Sequence, residues 1–246
     1  MADIAITDRL RAIMDQGMDV QTYQELHWEG TFDEYLELAA KNPKVARNAF
    51  QRLYDMILSH GYEEFTEHRE TLVRYHFFKD PTNGRDAIFG LERSLMALVN
   101  ALKSAAYGYG SERRIVLLHG PVGSSKSTIV RLLKKGIEAY SRTKDGAMYT
   151  FAWRTGDGEN GTWADCPMHE EPLRLLPPAV REQVASEISR ALDGPYAIRV
   201  EGELCPSCRR NFNDLLARHR GDWHQVLQQV QVRRLVLSEK DRVGIG

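Results

Sequence analysis

The residues best equipped for chemistry stand together at Gly120-Pro121-Val122-Gly123-Ser124-Ser125-Lys126-Ser127-Thr128. Gly120 and Gly123 let the backbone bend and bring its N–H groups against phosphate oxygens, where a side chain would intrude. The Lys126 ammonium suits the β- and γ-phosphates of a nucleotide, and the Ser127 hydroxyl suits Mg²⁺. The chemistry implied is binding of ATP with Mg²⁺, with the backbone of Val122 to Ser125 as the cradle. One position departs from G-x-x-x-x-G-K-[ST]: Ser125 stands where the pattern has glycine, and a serine takes that backbone conformation at greater cost. Hydrolysis is therefore less firmly implied than binding.

A phosphate loop needs a strand before it and a helix after it. Arg113 to His119 contains a short apolar, partly β-branched run that predicts a buried strand. From Ser127 the pattern turns helical, with Ile129, Val130, Leu132, Leu133, Ile137 and Tyr140 on one broad face. The helix start near Lys126 aims unpaired N–H groups and a positive dipole end at the same anion. Upstream, Ile88-Phe89-Gly90 precedes a helix expected from about Leu91 to Tyr107. An apolar pair and glycine there match the place where AAA+ ATPases hold adenine.

A second constellation is Cys166-Pro167-Met168-His169 with Cys205-Pro206-Ser207-Cys208. Cys166, His169, Cys205 and Cys208 make a Cys₃His set of the kind that holds structural Zn²⁺, four protein ligands leaving no open position. The gap between the two pairs is long for a zinc finger, and CPxC also serves as a redox motif.

The 246 residues are enough for one or two domains with a sizeable core. A net charge of −1 gives no argument for nucleic acid or an anionic membrane as partner. No apolar run approaches membrane-spanning length and the N-terminus does not resemble a signal peptide. Three cysteines argue against a disulfide framework, which makes the cytoplasm the expected compartment.

The first 72 residues read as a helical region: Ile4 to Met18, then a capping box at Thr31-Phe32-Asp33-Glu34 opening a helix to about Ala40, then a helix from Asn42-Pro43 to His60-Gly61. Residues 73–246 read as the nucleotide-binding domain. Within it, Arg74 to Phe78, Ala147 to Trp153, Tyr196 to Val200 and Gln231 to Leu237 are strand candidates. Helices are expected over Ala179–Leu192, Arg209–His219 and Asp222–Gln229, and Thr155 to Gly161 is a glycine-rich surface loop. The fold class expected is α/β, a parallel AAA+-like sheet flanked by helices.

A P-loop ATPase also needs a strand ending in Asp or Asp-Glu to hold Mg²⁺ and polarise water. Leu235-Val236-Leu237-Ser238-Glu239 comes closest and matches poorly. Neither the H-R-D nor the D-F-G kinase signature occurs.

Several segments together resemble the PrkA family of serine protein kinases, in its N-terminal AAA+-type domain. They are Phe32-Asp33-Glu34-Tyr35-Leu36, Asn42-Pro43-Lys44-Val45-Ala46-Arg47, Gly120 to Thr128, Cys166-Pro167-Met168-His169-Glu170-Glu171-Pro172-Leu173 and Leu237-Ser238-Glu239-Lys240-Asp241-Arg242. The resemblance implies an ATP-binding domain truncated at its C-terminus, with the acidic Mg²⁺ segment and the kinase-like region beyond it. The partners expected are nucleotide, a protein substrate or partner, and further copies of the chain in a homo-oligomer. Two other functions fit the same residues: an ATP-driven remodelling or protease-associated machine, and a nucleotide sensor that does not hydrolyse.

Overall fold

The computed structural model describes residues 20–156, 161–190 and 197–245. The expected helix Ile4 to Met18 lies outside them. After a short helix α1 (Val20–Leu26) and the two-residue strand β1 (Glu29–Gly30), Thr31 opens helix α2 (Phe32–Lys41). Thr31 and Glu34 form the expected reciprocal capping box, which satisfies two orphan donors and is worth about 1 kcal/mol.

The next helix starts later than its Asn-Pro pair suggests. Pro43–Ala46 is a single 3₁₀ turn, and α3 (Ala49–Ser59) is capped by Asn48 in a second capping box with Gln51. A hairpin then follows, β2 (Tyr62–Glu67) against β3 (Glu70–Tyr75), closed by His68 and Arg69, both left-handed at φ 50 and 65. The boundary at 72/73 falls inside β3. His76–Lys79 is a 3₁₀ turn, so the extended segment expected through Phe78 stops at Tyr75.

Helices α4 (Glu92–Tyr107) and α5 (Lys126–Ser141) pack with α3 and the hairpin around Met56, Ile57, Phe77, Phe78, Val99 and Leu132. Gly136 lies mid-helix in α5, where any Cβ would collide with Met56 and Phe77, so its absence sets how closely α5 approaches α3. Of the apolar face expected on α5, Ile129, Leu132 and Tyr140 are buried and Val130 is exposed.

The remaining strands are β4 (Met148–Thr155), β5 (Thr162–Asp165) and β6 (Val230–Leu235). They build a four-stranded sheet in the order β1-β6-β4-β5, antiparallel throughout. This corrects the expected parallel sheet. The connection from β4 to β5 is too short for the crossover that a parallel pair requires, so the chain must turn back on itself. Tyr149, Phe151 and Trp153 on one face of β4 pack with Tyr35, Leu173, Val226 and Val232 in a second core.

The run before the phosphate loop is not a strand. Among the described residues no strand pairs with residues 114–119, and Ile115 and Leu117 are 95% and 81% exposed. An apolar run becomes a core strand only where a neighbouring ladder takes up its backbone groups.

Helix α6 (Pro178–Arg190) starts at its proline, and residues 191 and 192 of the expected helix lie outside the described residues. Residues 197–200 form no strand, and Tyr196 lies outside the description; the Ile198 N–H donates instead to Ser189 Oγ on α6 at 2.8 Å. Helices α7 (Pro206–Arg218) and α8 (Trp223–Leu227) follow. Of the surface loop expected at 155–161, residues 157–160 are outside the described set. No helix among the described residues is long and apolar enough to cross a membrane.

Buried Arg52 joins the two cores. Its guanidinium donates to the carbonyls of Val45, Arg47, Gly146 and Ala147 at 2.5–3.1 Å, and burial pulls its pKa down to about 10.

Candidate nucleotide-binding site

The loop from Gly120 to Ser125 curls around the Lys126 ammonium. Nζ donates to the carbonyl oxygens of Gly120 at 2.8 Å and Pro121 at 2.5 Å, and to Ser124 Oγ at 3.0 Å. Ser124 Oγ donates in turn to the Pro121 carbonyl at 2.8 Å. The turn uses two left-handed residues, Gly123 at φ 84 and Ser125 at φ 59. Ser125 is the N-cap of α5, and its carbonyl accepts the first helical bond, from Ile129 at 2.9 Å. The helix therefore begins where the sequence places it, with Lys126 and Ser127 in its first turn. Val122 at the loop tip and Ser127 face solvent, and Thr128 is half-buried. The loop is thus partly open to solvent, carries one ammonium, and sits at the N-terminus of a 16-residue helix, whose unpaired N–H groups and dipole favour an anion.

The segment Ile88-Phe89-Gly90 is tied to the same helix. Ile88 is buried in the core with Ile129 and Leu132 of α5, and its N–H donates to the Phe78 carbonyl at 2.9 Å. Phe89 is 77% exposed and Gly90 is left-handed at φ 72. Ile88 and Phe89 line a cavity of about 210 Å³ with Val73, Tyr75, Leu91 and Leu95. Two residues back, Asp86 takes Arg131 and Lys135 of α5, which hold its carboxyl well below the usual carboxylate range, the Arg131 hydrogen bond counting most. Sequence reading missed Asp86; an acid preceding an apolar pair carries no signal until its two cations are placed four apart on one helix face.

The weak acidic candidate does not reach this site. Strand β6 ends at Leu235, and Glu239 pairs with Lys134 at 3.2 Å, seven residues or roughly 10 Å along α5 from Ser127.

The cysteine constellation closes in space, with a different fourth member. Cys166, Glu170, Cys205 and Cys208 are all buried, and their ligand atoms lie within 4.8 Å of one another. His169 stands outside the group, left-handed at φ 48, with Nδ1 buried and unpartnered. Cys166 follows β5 and extends its ladder by donating to the Phe151 carbonyl at 2.9 Å; Cys205 caps α7. The neighbouring Cys208 thiol draws the Cys166 pKa down to about 7, while Cys208 itself is pushed up by the same contact.

Next to this group, Glu171 is half-buried and receives a hydrogen bond from the Tyr35 hydroxyl; desolvation, outweighing that bond, lifts the Glu171 carboxyl to about 7.

The family model for the PrkA AAA domain matches residues 30–246. A protein of Bacillus subtilis (strain 168) named ATP-dependent protease PrkA is 38% identical over 224 residues, which is 91% of this chain and 30% of that relative. The chain thus spans about a third of that relative's length. An uncharacterized protein in the gldA 5' region of Geobacillus stearothermophilus is 41% identical over 76 residues, 31% of this chain and 68% of its own. No solved structure matches. With a loop built around Lys126 and a family match from residue 30 onward, the chain belongs to the PrkA AAA domain family.

Proposed function

We propose that the chain binds ATP·Mg²⁺ in the loop 120–128 and serves as the nucleotide-binding part of a PrkA-type serine protein kinase. The observation that carries this is the position of Lys126 Nζ, held by two loop carbonyls and Ser124 Oγ in the middle of the turn. An ammonium kept there is placed to exchange carbonyl oxygens for phosphate oxygens, which bond it more strongly because they are charged. The N–H groups of Val122 to Ser125 and the positive end of α5 add to the anion site. Ser127, exposed in the first helical turn, supplies a hydroxyl to Mg²⁺, which takes its remaining oxygens from phosphate and water. The Ile88-Phe89-Gly90 segment, pinned to α5 through Asp86, supplies the apolar contact for adenine.

A second reading has a specific support: the Bacillus subtilis relative is named an ATP-dependent protease, in line with an ATP-driven, protease-associated role. Both readings share the phosphate loop, a protein substrate and a homo-oligomer of AAA domains, and both suit a cytoplasm in which the three buried thiols stay reduced.

Calorimetric titration with ATP, with and without Mg²⁺, tests the shared part. Mg²⁺-dependent binding should weaken at least ~100-fold in Lys126→Ala, the loss of a pair of charge-assisted bonds. Equal affinity in wild type and variant would remove the proposal. In the longer protein, transfer of labelled γ-phosphate to a protein supports the kinase; phosphate release with peptide cleavage supports the machine.

A further inference from the structure

We propose that Cys166, Glu170, Cys205 and Cys208 form a structural zinc site that ties the segment after β5 to the start of α7. A tetrahedral zinc ion with Zn–S near 2.3 Å and Zn–O near 2.1 Å sets its donors about 3.5–3.8 Å apart. The four ligand atoms already lie within 4.8 Å of one another, and Cys166 Sγ is 3.5 Å from Glu170 Oε2. Contraction by about an ångström is enough to close the set.

The carboxylate distinguishes a metal site from a packed core. Three thiols alone pack well as small apolar groups. Glu170 is only 6% exposed, yet it lies beside all three, and an ionised carboxylate in such a place is costly unless compensated. Its two oxygens are divided: Oε1 takes Arg174 Nη1 at 3.0 Å, and Oε2 faces Cys166 and accepts from the Cys205 N–H at 2.9 Å. Arg174 therefore orients the carboxylate from outside the cluster, as an outer partner of a metal ligand does.

The sulfurs are supported in the same way. The N–H of Glu170 points at Cys166 Sγ and the N–H of Cys208 at Cys205 Sγ, each at 3.5 Å. Cys205 is the cap and Cys208 lies in the first turn of the 13-residue α7, where the helix dipole favours thiolate. Zn²⁺ and Arg174 together offset three of the four negative charges. Four protein ligands leave no position for substrate, so the metal holds structure and takes no part in chemistry.

The test uses the full chain purified under reducing conditions. Metal analysis should find about one zinc per chain, and exchange with Co²⁺ should give thiolate-to-cobalt charge-transfer absorption. Cys205→Ser with Cys208→Ser should lower zinc content at least tenfold. Glu170→Gln, the loss of a charged ligand, should weaken zinc in competition with a chromophoric chelator by more than the ~10–100-fold that loss of an outer partner costs, and His169→Ala should leave it unchanged. A reduced wild-type chain that is folded by circular dichroism, yet takes up neither zinc nor Co²⁺ on reconstitution, overturns the site. Loss of zinc in His169→Ala with retention in Glu170→Gln overturns this choice of ligands. Should the cysteine variant fail to fold, the wild-type cobalt spectrum still decides.

Discussion

Arg131 Nε sits 3.1 Å from both carboxylate oxygens of Asp86, across 45 residues of sequence. Lys135, one turn further along α5, takes Asp86 Oδ2 at 2.6 Å. The carboxylate thereby clips the segment leading to Ile88 and Phe89 onto the helix that begins at the phosphate loop. Replacing it by an amide, Asp86→Asn, keeps the shape and removes the charge. ATP affinity should fall severalfold, more at low salt than at high, because Arg131 is half-exposed and its pairing is screened. Calorimetry at two ionic strengths measures this, and an affinity independent of the substitution would mean that the Ile88-Phe89 segment is not part of the nucleotide site.

Ser125 occupies a left-handed conformation that costs a non-glycine residue about 1–2 kcal/mol. Ser125→Gly relieves that cost but adds roughly 0.4–1 kcal/mol of unfolded-state freedom, so stability should hold or rise by up to about 1.5 kcal/mol, and ATP should bind at least as tightly. Ser125→Val puts a β-branched side chain at the same φ and should weaken ATP binding at least ~10-fold by distorting the loop. Thermal melts paired with titrations check both. Weaker binding in Ser125→Gly would mean that the serine hydroxyl contributes to the site.

Glu171 gives the fold a pH dependence. Its folded pKa of about 7 lies above the ordinary value of 4.5, so the native state holds a proton that the unfolded chain has released. A raised carboxyl contributes stability that is fully present below about 4.5 and is lost as pH rises through about 7. The difference is on the order of 2–4 kcal/mol. Denaturant midpoints between pH 5 and 8 should fall with pH in the wild type and flatten in Glu171→Gln, which retains the Tyr35 bond. An equal slope in both proteins would assign the dependence to another group.

The parts of the chain that carry their own local chemistry were legible from sequence. Thr31 with Glu34, the start of α5 at Lys126 and the core strand at β4 all rest on residues within a few positions of each other. What was not legible depends on partners distant in sequence. Arg113 to His119 has the composition of a core strand, but a strand exists only as a member of a ladder, and among the described residues none lies beside it. The β2–β3 hairpin turns on His68 and Arg69, residues without the glycine or asparagine that signals such a turn. In the cysteine constellation, spacing alone favoured His169, the more familiar ligand. The turn through Pro167 and Met168 carries Glu170 inward instead, one residue later.

The four carbonyls that hold Arg52 come from segments 94 and 95 residues away as well as from its own neighbourhood. Helix α3 cannot settle into its final environment until the start of β4 has arrived, because until then it encloses a cation with half its acceptors missing. A partly folded chain with the helical half complete and the sheet unmade is thus disfavoured by the cost of an unsatisfied buried charge. Arg52 thereby couples completion of the helical half to arrival of the segment that opens β4. Separate expression of either half should therefore leave a chain that does not hold its shape alone.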